Sequence, residues 1–476
     1  MKKSKFLLVL LFVVASFFIT ACNTPGQSYV DYDGTEVQGV SEDKILIGNT
    51  AATSGAFSTV GIPFNLGLNA VLAKYNAAGG FNGKVVELVH YDDEFTAEKG
   101  LTYTKKLVEE DQVFALVGHF GTPTVGATVD YIASESGIPM VYAATGISDL
   151  YNTEAKGYER AVMSVQPIYD AEGRVLLARA VSAVEGSYGL GGATIGVIST
   201  TDEAGMGMLS GIEFQAKKLN VDVKYVKTSA AAGTNHATAV NTLKAAGCDV
   251  IIVAANQAPF QEIMGYMRDG GLDNVKVITS YVSANAADLN KLELAGAITE
   301  TREVYTAAWL DIASDAILYA PEATNIYGYY LWEGYKVLAQ ALGVPGLYDL
   351  GVPGFSAEYW VAAETIYAYA LTVDAANAFV YSYNSYCLAG YIAGMMFVEG
   401  LERVKASGKD LTWLNYIDAM ESAPIDIPMG GGVDYANGAR LGITDLALNK
   451  YDMATDNLVT YSGITTLDEI IAHIAK

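Results

Sequence analysis

Short apolar runs and amphipathic stretches alternate along most of the chain. "KILIGNT" (44–50), "KVVELVHYDD" (84–93), "VFALVGH" (113–119) and "IPMVYAAT" (138–145) are each a few residues long and apolar almost throughout. That is the pattern of strands buried on both faces. Between them lie longer stretches with helical spacing, such as "GIPFNLGLNAVLAKYNAAGG", which ends in glycines, and "TAEKGLTYTKKLVEED". The theme restarts near residue 190 with "ATIGVIST", a helix over 204–219, "VDVKYVKT", a helix over 235–246, "CDVIIVAAN", a helix over 258–269 and "VKVITSY". Repeated β-α steps predict an α/β fold of two Rossmann-like lobes, each built on a parallel sheet. "ERAVMSVQP" (159–167) and residues 298–308 are read as hinge strands between the lobes. "LGITDLALNKYDMATDNLVTYSGI" (441–464) reads as a hairpin completing the second lobe.

Two regions break the pattern. Residues 310–395 concentrate tyrosine in helical runs ("EYW", "IYAYA", "FVYSYNSY"), punctuated by two Val-Pro-Gly turns. They read either as packing on the first lobe's sheet or as an aromatic wall at a cleft mouth. The other region is the start. Lys2, Lys3 and Lys5 precede the apolar run Phe6–Thr20, which is short for a membrane span and suited to a signal peptide. It closes in "ITAC", which resembles a lipobox and marks Cys22 for lipidation. The expected leader is 1–21, leaving an extracytoplasmic protein lipid-anchored to the cell membrane. Residues 22–43 carry five acids, no base and little apolar content, and read as a flexible tether.

Loss of the leader removes three lysines and no acid, taking the formal charge from −24 to −27. Such a charge opposes binding to nucleic acid or anionic lipid. Cys248 and Cys387 then remain, too few for a disulfide framework, and read as buried apolar residues.

In an open parallel sheet, ligands bind beyond the carboxyl ends of the strands, where helices begin. Helix N-termini present unpaired N–H groups and a partial positive charge. "SGAFSTVG" from Ser54, "GHFGTPT" (118–124) and "YAATGIS" (142–148) occupy such positions. Thr122 is expected to cap the helix that Pro123 opens. No G-x-x-x-x-G-K-[ST] motif is present and the loops lack Lys and Arg, so phosphate fits poorly. A small carboxylate or amide fits better. No pair among His90, His119, His236 and His473 has metal-ligand spacing, and no G-x-S-x-G elbow occurs. No metal, cofactor or catalytic residue is therefore expected. Asp92 and Asp93 read as a solvated or hinge-facing strand end. His119 reads equally as a ligand contact or a structural histidine.

Ile45–Tyr151 resembles the type I periplasmic binding proteins of the leucine/isoleucine/valine family, receptors of branched-chain amino acid ABC importers. The resemblance lies in "GNTAATSGAFSTVG", "NAAGGFNGKVVELVHYDDEF", "ALVGHFGTPT" and "IPMVYAATG", and more weakly in "IGVISTTDEAGMGMLSG" and "DVIIVAANQAPFQEIMGYMRDGGL". It implies two hinged lobes: 44–163 with 300–435, and 164–299 with 436–476, with 310–355 containing an insertion. It also implies a small-molecule ligand, a small amino acid or an amino-acid-like carboxylate or amide, and, as partners, an ABC permease and ATPase. The ligand's carboxylate would meet Thr122, Ala143, Ala144 and Thr145. Ser54, Phe120, Gly121, Asn256 and Tyr281 would shape the rest. Here the sequence departs from the family, in which an aromatic and an acid near the ligand's ammonium stand where this chain has Asn256 and Tyr281. Relatives also take amides, urea and aromatic acids. A receptor or sensor of the same fold, and an exported α/β enzyme, are the alternative readings.

Overall fold

The computed structural model describes residues 29–182, 193–310, 357–382 and 384–474. The expected leader, Cys22 and nearly all of the expected insertion lie outside the described residues. Within the described residues, no helix is long and apolar enough to cross a membrane.

Two sheets carry the fold. The first holds five parallel strands in the order β2-β1-β3-β4-β5: β1 Lys44–Ala51, β2 Val85–Asp92, β3 Ala115–Val117, β4 Met140–Ala143 and β5 Val162–Ser164. Helices α1 Ser58–Ala77, α2 Ala97–Glu109 and α3 Thr122–Tyr131 connect its strands. The second sheet has the order β14-β13-β10-β9-β8-β6-β7, counting β6 Ile195–Thr200, β7 Val223–Thr228, β8 Val250–Ala254, β9 Val275–Thr279, β10 Arg302–Ala308, β13 Leu446–Asp452 and β14 Asn457–Thr465. The pairs from β7 to β10 are parallel. β13 and β14 form an antiparallel hairpin that extends the sheet beyond β10, where the alternating pattern places one. Helices α4 Tyr169–Val181, α5 Glu203–Leu219, α6 Ala237–Ala245, α7 Gln257–Asp269 and α8 Ala286–Leu294 serve this lobe. Two short strands, β11 Ile425–Asp426 and β12 Gly432–Val433, pair separately.

The chain then returns to the first lobe. Helices α9 Ala357–Val373, α10 Ala378–Ser382, α11 Ser385–Ser407 and α12 Trp413–Glu421 pack there. α11 lies against α1 at backbone distance, because glycines on both helices leave no room for a side chain. A Cβ at Gly67 would sit 1.9 Å from the Cys387 carbonyl oxygen. Leu388, Ile392, Met396 and Phe397 of α11 fill the core of the first lobe with Phe114 and Leu116.

Two details differ from the sequence reading. Residues 302–308 are not a hinge strand of the first lobe; β10 sits inside the second sheet, between β9 and β13. Residues 29–43 are not a free tether. The Gln38 amide donates to the carbonyls of Val108 (3.0 Å) and Val113 (2.9 Å), and Tyr32 donates to that of Gly137 (2.6 Å). Few apolar residues are needed where side chains satisfy strand and helix ends. The crossing near residue 440 is tied down by charge: Arg440, 1% exposed, bonds Glu421 (2.6 Å), and Glu421 also pairs with Arg160 (2.6 Å).

The Gly67 contact generates a test. Gly67→Ala forces backbone apart in a close-packed core, and should cost at least about 1–3 kcal/mol. Urea unfolding checks this; unchanged stability would mean the helices do not approach as described.

Candidate functional site

The carboxyl ends of the strands face a cavity of about 180 Å³ between the lobes. The first lobe supplies an apolar wall. Phe57, Phe64, Phe95 and Phe120 line it, with Gly121, Thr122 and Ala144 beside them. Phe57 and Phe95 stack with ring centroids 3.7 Å apart and planes at 15°. Phe95 holds a left-handed backbone (φ 61°), and Gly121 makes room for it: a Cβ there would meet the Phe95 ring at 2.8 Å. Gly121 also has φ 106°, which L side chains rarely adopt.

α3 begins at this wall. Gly121, not Thr122, is its N-cap residue, and no side chain caps it. Thr122 is the first helical residue, and its hydroxyl is engaged sideways with the Thr145 hydroxyl (3.0 Å) and the Tyr169 hydroxyl (3.2 Å). Tyr169 comes from α4 of the other lobe, so this hydroxyl cluster joins the two halves. The bare helix start offers N–H groups and the positive end of a dipole to the cavity.

The second lobe and the crossings supply a polar wall of unusual kind. Gln166, Asn256, Gln257, Asn285, Asn449 and Asn457 present carboxamides, and Tyr169 and Tyr281 add phenols. Among the described residues, no Asp, Glu, Lys, Arg or His lines the cavity. The acids stand one layer back, each held by a neutral lining residue or its neighbour. Asp202 accepts from Asn256 (3.2 Å), and Asp288 accepts from Gln257. Glu172, fully buried on α4, accepts from the Ser280 hydroxyl (2.8 Å) and the Tyr281 N–H (3.0 Å). Burial pushes its carboxyl up to about 7, against the pull of those two bonds.

The nine residues expected at the site divide. Phe120, Gly121, Thr122, Ala144, Asn256 and Tyr281 line the cavity. Thr145 lies behind Thr122, 2% exposed, and bonds to it. Ala143 is buried within β4, and Ser54 is exposed, its N–H directed at Asp92 (3.3 Å). The Ala144 N–H is spent on the His119 carbonyl (2.7 Å), so this loop offers the cavity less backbone than expected. His119 itself is fully buried, 2.6 Å from the Thr104 hydroxyl, and burial drives its pKa down to about 3. It is a core residue and not a ligand contact. Asp93 is not solvated either: it is fully buried and accepts from Thr50 (2.7 Å), Thr124 (2.7 Å) and the Phe95 N–H (2.8 Å). Asp92 accepts from the N–H groups of Thr53 (3.0 Å) and Glu94 (3.1 Å).

Tyr169, Gln166, Trp309 and the Phe57–Phe95 pair in the cavity lining went unrecognised in the sequence. The tyrosine-rich stretch serves both purposes considered for it. Tyr359 and Tyr386 line the cavity, while Tyr391 is buried in the first lobe's core.

Residues 44–344 match the family model described as periplasmic binding protein. An amino acid binding protein of Pseudomonas aeruginosa is 24% identical over 237 residues, covering 48% of this chain and 58% of that protein. A Leu/Ile/Val-binding protein homolog 2 of Brucella abortus is 32% identical over 107 residues, covering 22% of this chain and 28% of that protein. The matched part is thus less than two thirds of either relative. Among solved structures, a fatty acid ABC transporter substrate-binding protein from Thermomonospora curvata superposes with a TM-score of 0.66 at 16% identity, over 91% of this chain and 96% of that one. At that identity the likeness is one of fold.

Glu172 generates a pH prediction. Its folded-state carboxyl titrates near 7 and its unfolded one near 4.5, so the folded chain keeps a proton that the unfolded chain has lost. Stability therefore falls as pH rises between those values, by about 3 kcal/mol in all. Glu172→Gln should remove this loss. Urea unfolding at pH 4.5 and 8 measures it; an equal pH response in both proteins would refute the assignment.

Proposed function

The chain belongs to the periplasmic binding protein family, and from that premise we propose that it is the substrate-binding component of an ABC importer. It is extracytoplasmic, held to the membrane by lipid on Cys22, and delivers its ligand to a permease driven by an ATPase. The ligand is a small carboxylate or amide, amino-acid-like at that end, bound between the lobes. The chain performs no chemistry of its own; it binds, closes and releases.

The observation that carries this reading is the uncapped start of α3, which opens with Thr122 onto a cavity lined by no charged side chain among the described residues. A carboxylate there gains charge-assisted bonds from N–H groups, each worth about 1.5–3 kcal/mol. Among the described residues, an ammonium group would find no carboxylate at the surface of the cavity, since Asp202, Asp288 and Glu172 are engaged behind neutral side chains. Burying an unpaired charge is costly. The ligand is therefore one without an ammonium group, which departs from the amino acid named for the Pseudomonas relative. A carboxylate on an apolar body also suits the phenylalanine wall; the fatty-acid protein from Thermomonospora curvata is a structural neighbour in keeping with it.

A thermal-shift screen of the chain from Tyr29 onward, which keeps the Tyr32 and Gln38 contacts, tests this, with amino acids, amides, urea, short carboxylates and aromatic acids. A ligand at 100 times its Kd should stabilise the protein by about 2.7 kcal/mol. Carboxylates or amides lacking an ammonium should shift the melting temperature, and leucine, isoleucine and valine should not. Thr122→Val should then weaken binding about tenfold. Unchanged affinity in a Thr122→Val, Thr145→Val double variant would sink the reading.

A further inference from the structure

Buried polar atoms are nearly always paired, so a buried orphan in a cavity wall marks a place for something else. Two such orphans line this cavity, and neither belongs to the hydroxyl cluster around Thr122. Asn449 is 2% exposed, and its Oδ1 has no hydrogen-bond partner. It stands on β13 opposite Thr306 of β10, another lining residue. The Tyr386 hydroxyl oxygen, in the first turn of α11, is likewise buried without a partner. The two residues come from different lobes and line one cavity, which Asn384 and Asn457 also line. Both residues of the pair are uncharged, as are those two. A carboxamide oxygen accepts, and a phenol both accepts and donates.

We propose that Asn449 and Tyr386 form a second polar subsite that takes a neutral hydrogen-bond donor, a hydroxyl or an amide N–H, carried by the ligand apart from its carboxylate or amide head. The inference rests on the reading of the cavity as the ligand site, and it adds the ligand's class. The solute is bifunctional: one anionic or amide group for the start of α3, an apolar or aromatic body for the phenylalanine wall, and one neutral donor group for Asn449 and Tyr386. Hydroxyl and amide N–H share this chemistry, and the test separates them.

Calorimetric affinities for matched acids decide the matter: hexanoic acid against 6-hydroxyhexanoic acid and adipic acid monoamide, and 3-phenylpropanoic acid against its 4-hydroxy and 4-methoxy derivatives. A donor-bearing member should bind about tenfold tighter than its partner, because it satisfies a buried acceptor that the other leaves bare. The better of the hydroxy acid and the monoamide names the group. Asn449→Leu and Tyr386→Phe should each abolish most of that preference while still binding the unsubstituted acids. Both variants, without ligand, should melt at the wild-type temperature or above, since each removes an unsatisfied buried atom. Binding without preference within the pairs would overturn this inference alone, as solvent would then serve the two atoms. A preference that survives both substitutions, or a fall in melting temperature in both, would also overturn it. Failure of every compound to bind would overturn the importer reading together with it.

Discussion

One carboxylate gathers the binding face of the first lobe. Asp93 sits where β2 ends and accepts from Thr50 at the end of β1, Thr124 in the first turn of α3 and the N–H of Phe95. Strand ends, helix start and the aromatic wall are thus fixed to one another through a single buried group. Burial opposes its ionisation, and the Thr124, Thr50 and Phe95 bonds favour it. An acid with three donors aimed at it is far better matched than any apolar substitute, which would strand two hydroxyls and an amide in the interior. The α3 terminus can face the cavity uncapped because its position is secured from behind. The left-handed turn that presents Phe95 is anchored at the same point.

The alternation of apolar and amphipathic segments reveals the two sheets because a strand buried on both faces has nowhere to put polar residues. The helix start at Gly121–Thr122 is equally legible, since glycine, proline and threonine punctuate that loop, although the cap expected of Thr122 is not made. What sequence hides is long-range pairing. Glu172 and Ser280 lie 108 residues apart, and nothing local foretells their bond. A weaker signal was present: Glu172 shares a helical face with buried Tyr169, Gly173 and Leu176, and an acid on such a face needs a partner. Asp93 was misjudged because a charged residue at a strand end is usually solvated. Residues 29–43 were misjudged because composition counts apolar side chains and not the backbone groups that Gln38 and Tyr32 satisfy.

The cavity achieves selectivity by layering. Carboxamides and hydroxyls form its polar surface, and the acids behind them orient those groups without lining the cavity. An acid behind Asn256 or Gln257 fixes which way the amide turns, because the amide nitrogen is drawn to it and the oxygen is left to accept. The negative charge of the protein is thereby kept off the described surface of the cavity. The aromatic wall opposite contributes area and shape with little conformational cost.

The order of elements along the chain has a consequence for how the molecule is made. The first sheet is complete by Ser164, yet α11, which fills that lobe's core, does not begin until Ser385. The second sheet has its parallel strands by Ala308, yet the hairpin that covers its edge begins at Leu446. A chain synthesised from its N-terminus therefore carries an uncovered apolar face and an open strand edge through most of its synthesis. Neither half can reach its native packing first and wait for the other. Both close when the last third arrives, so acquisition of the native state is a late event that joins the two ends of the sequence.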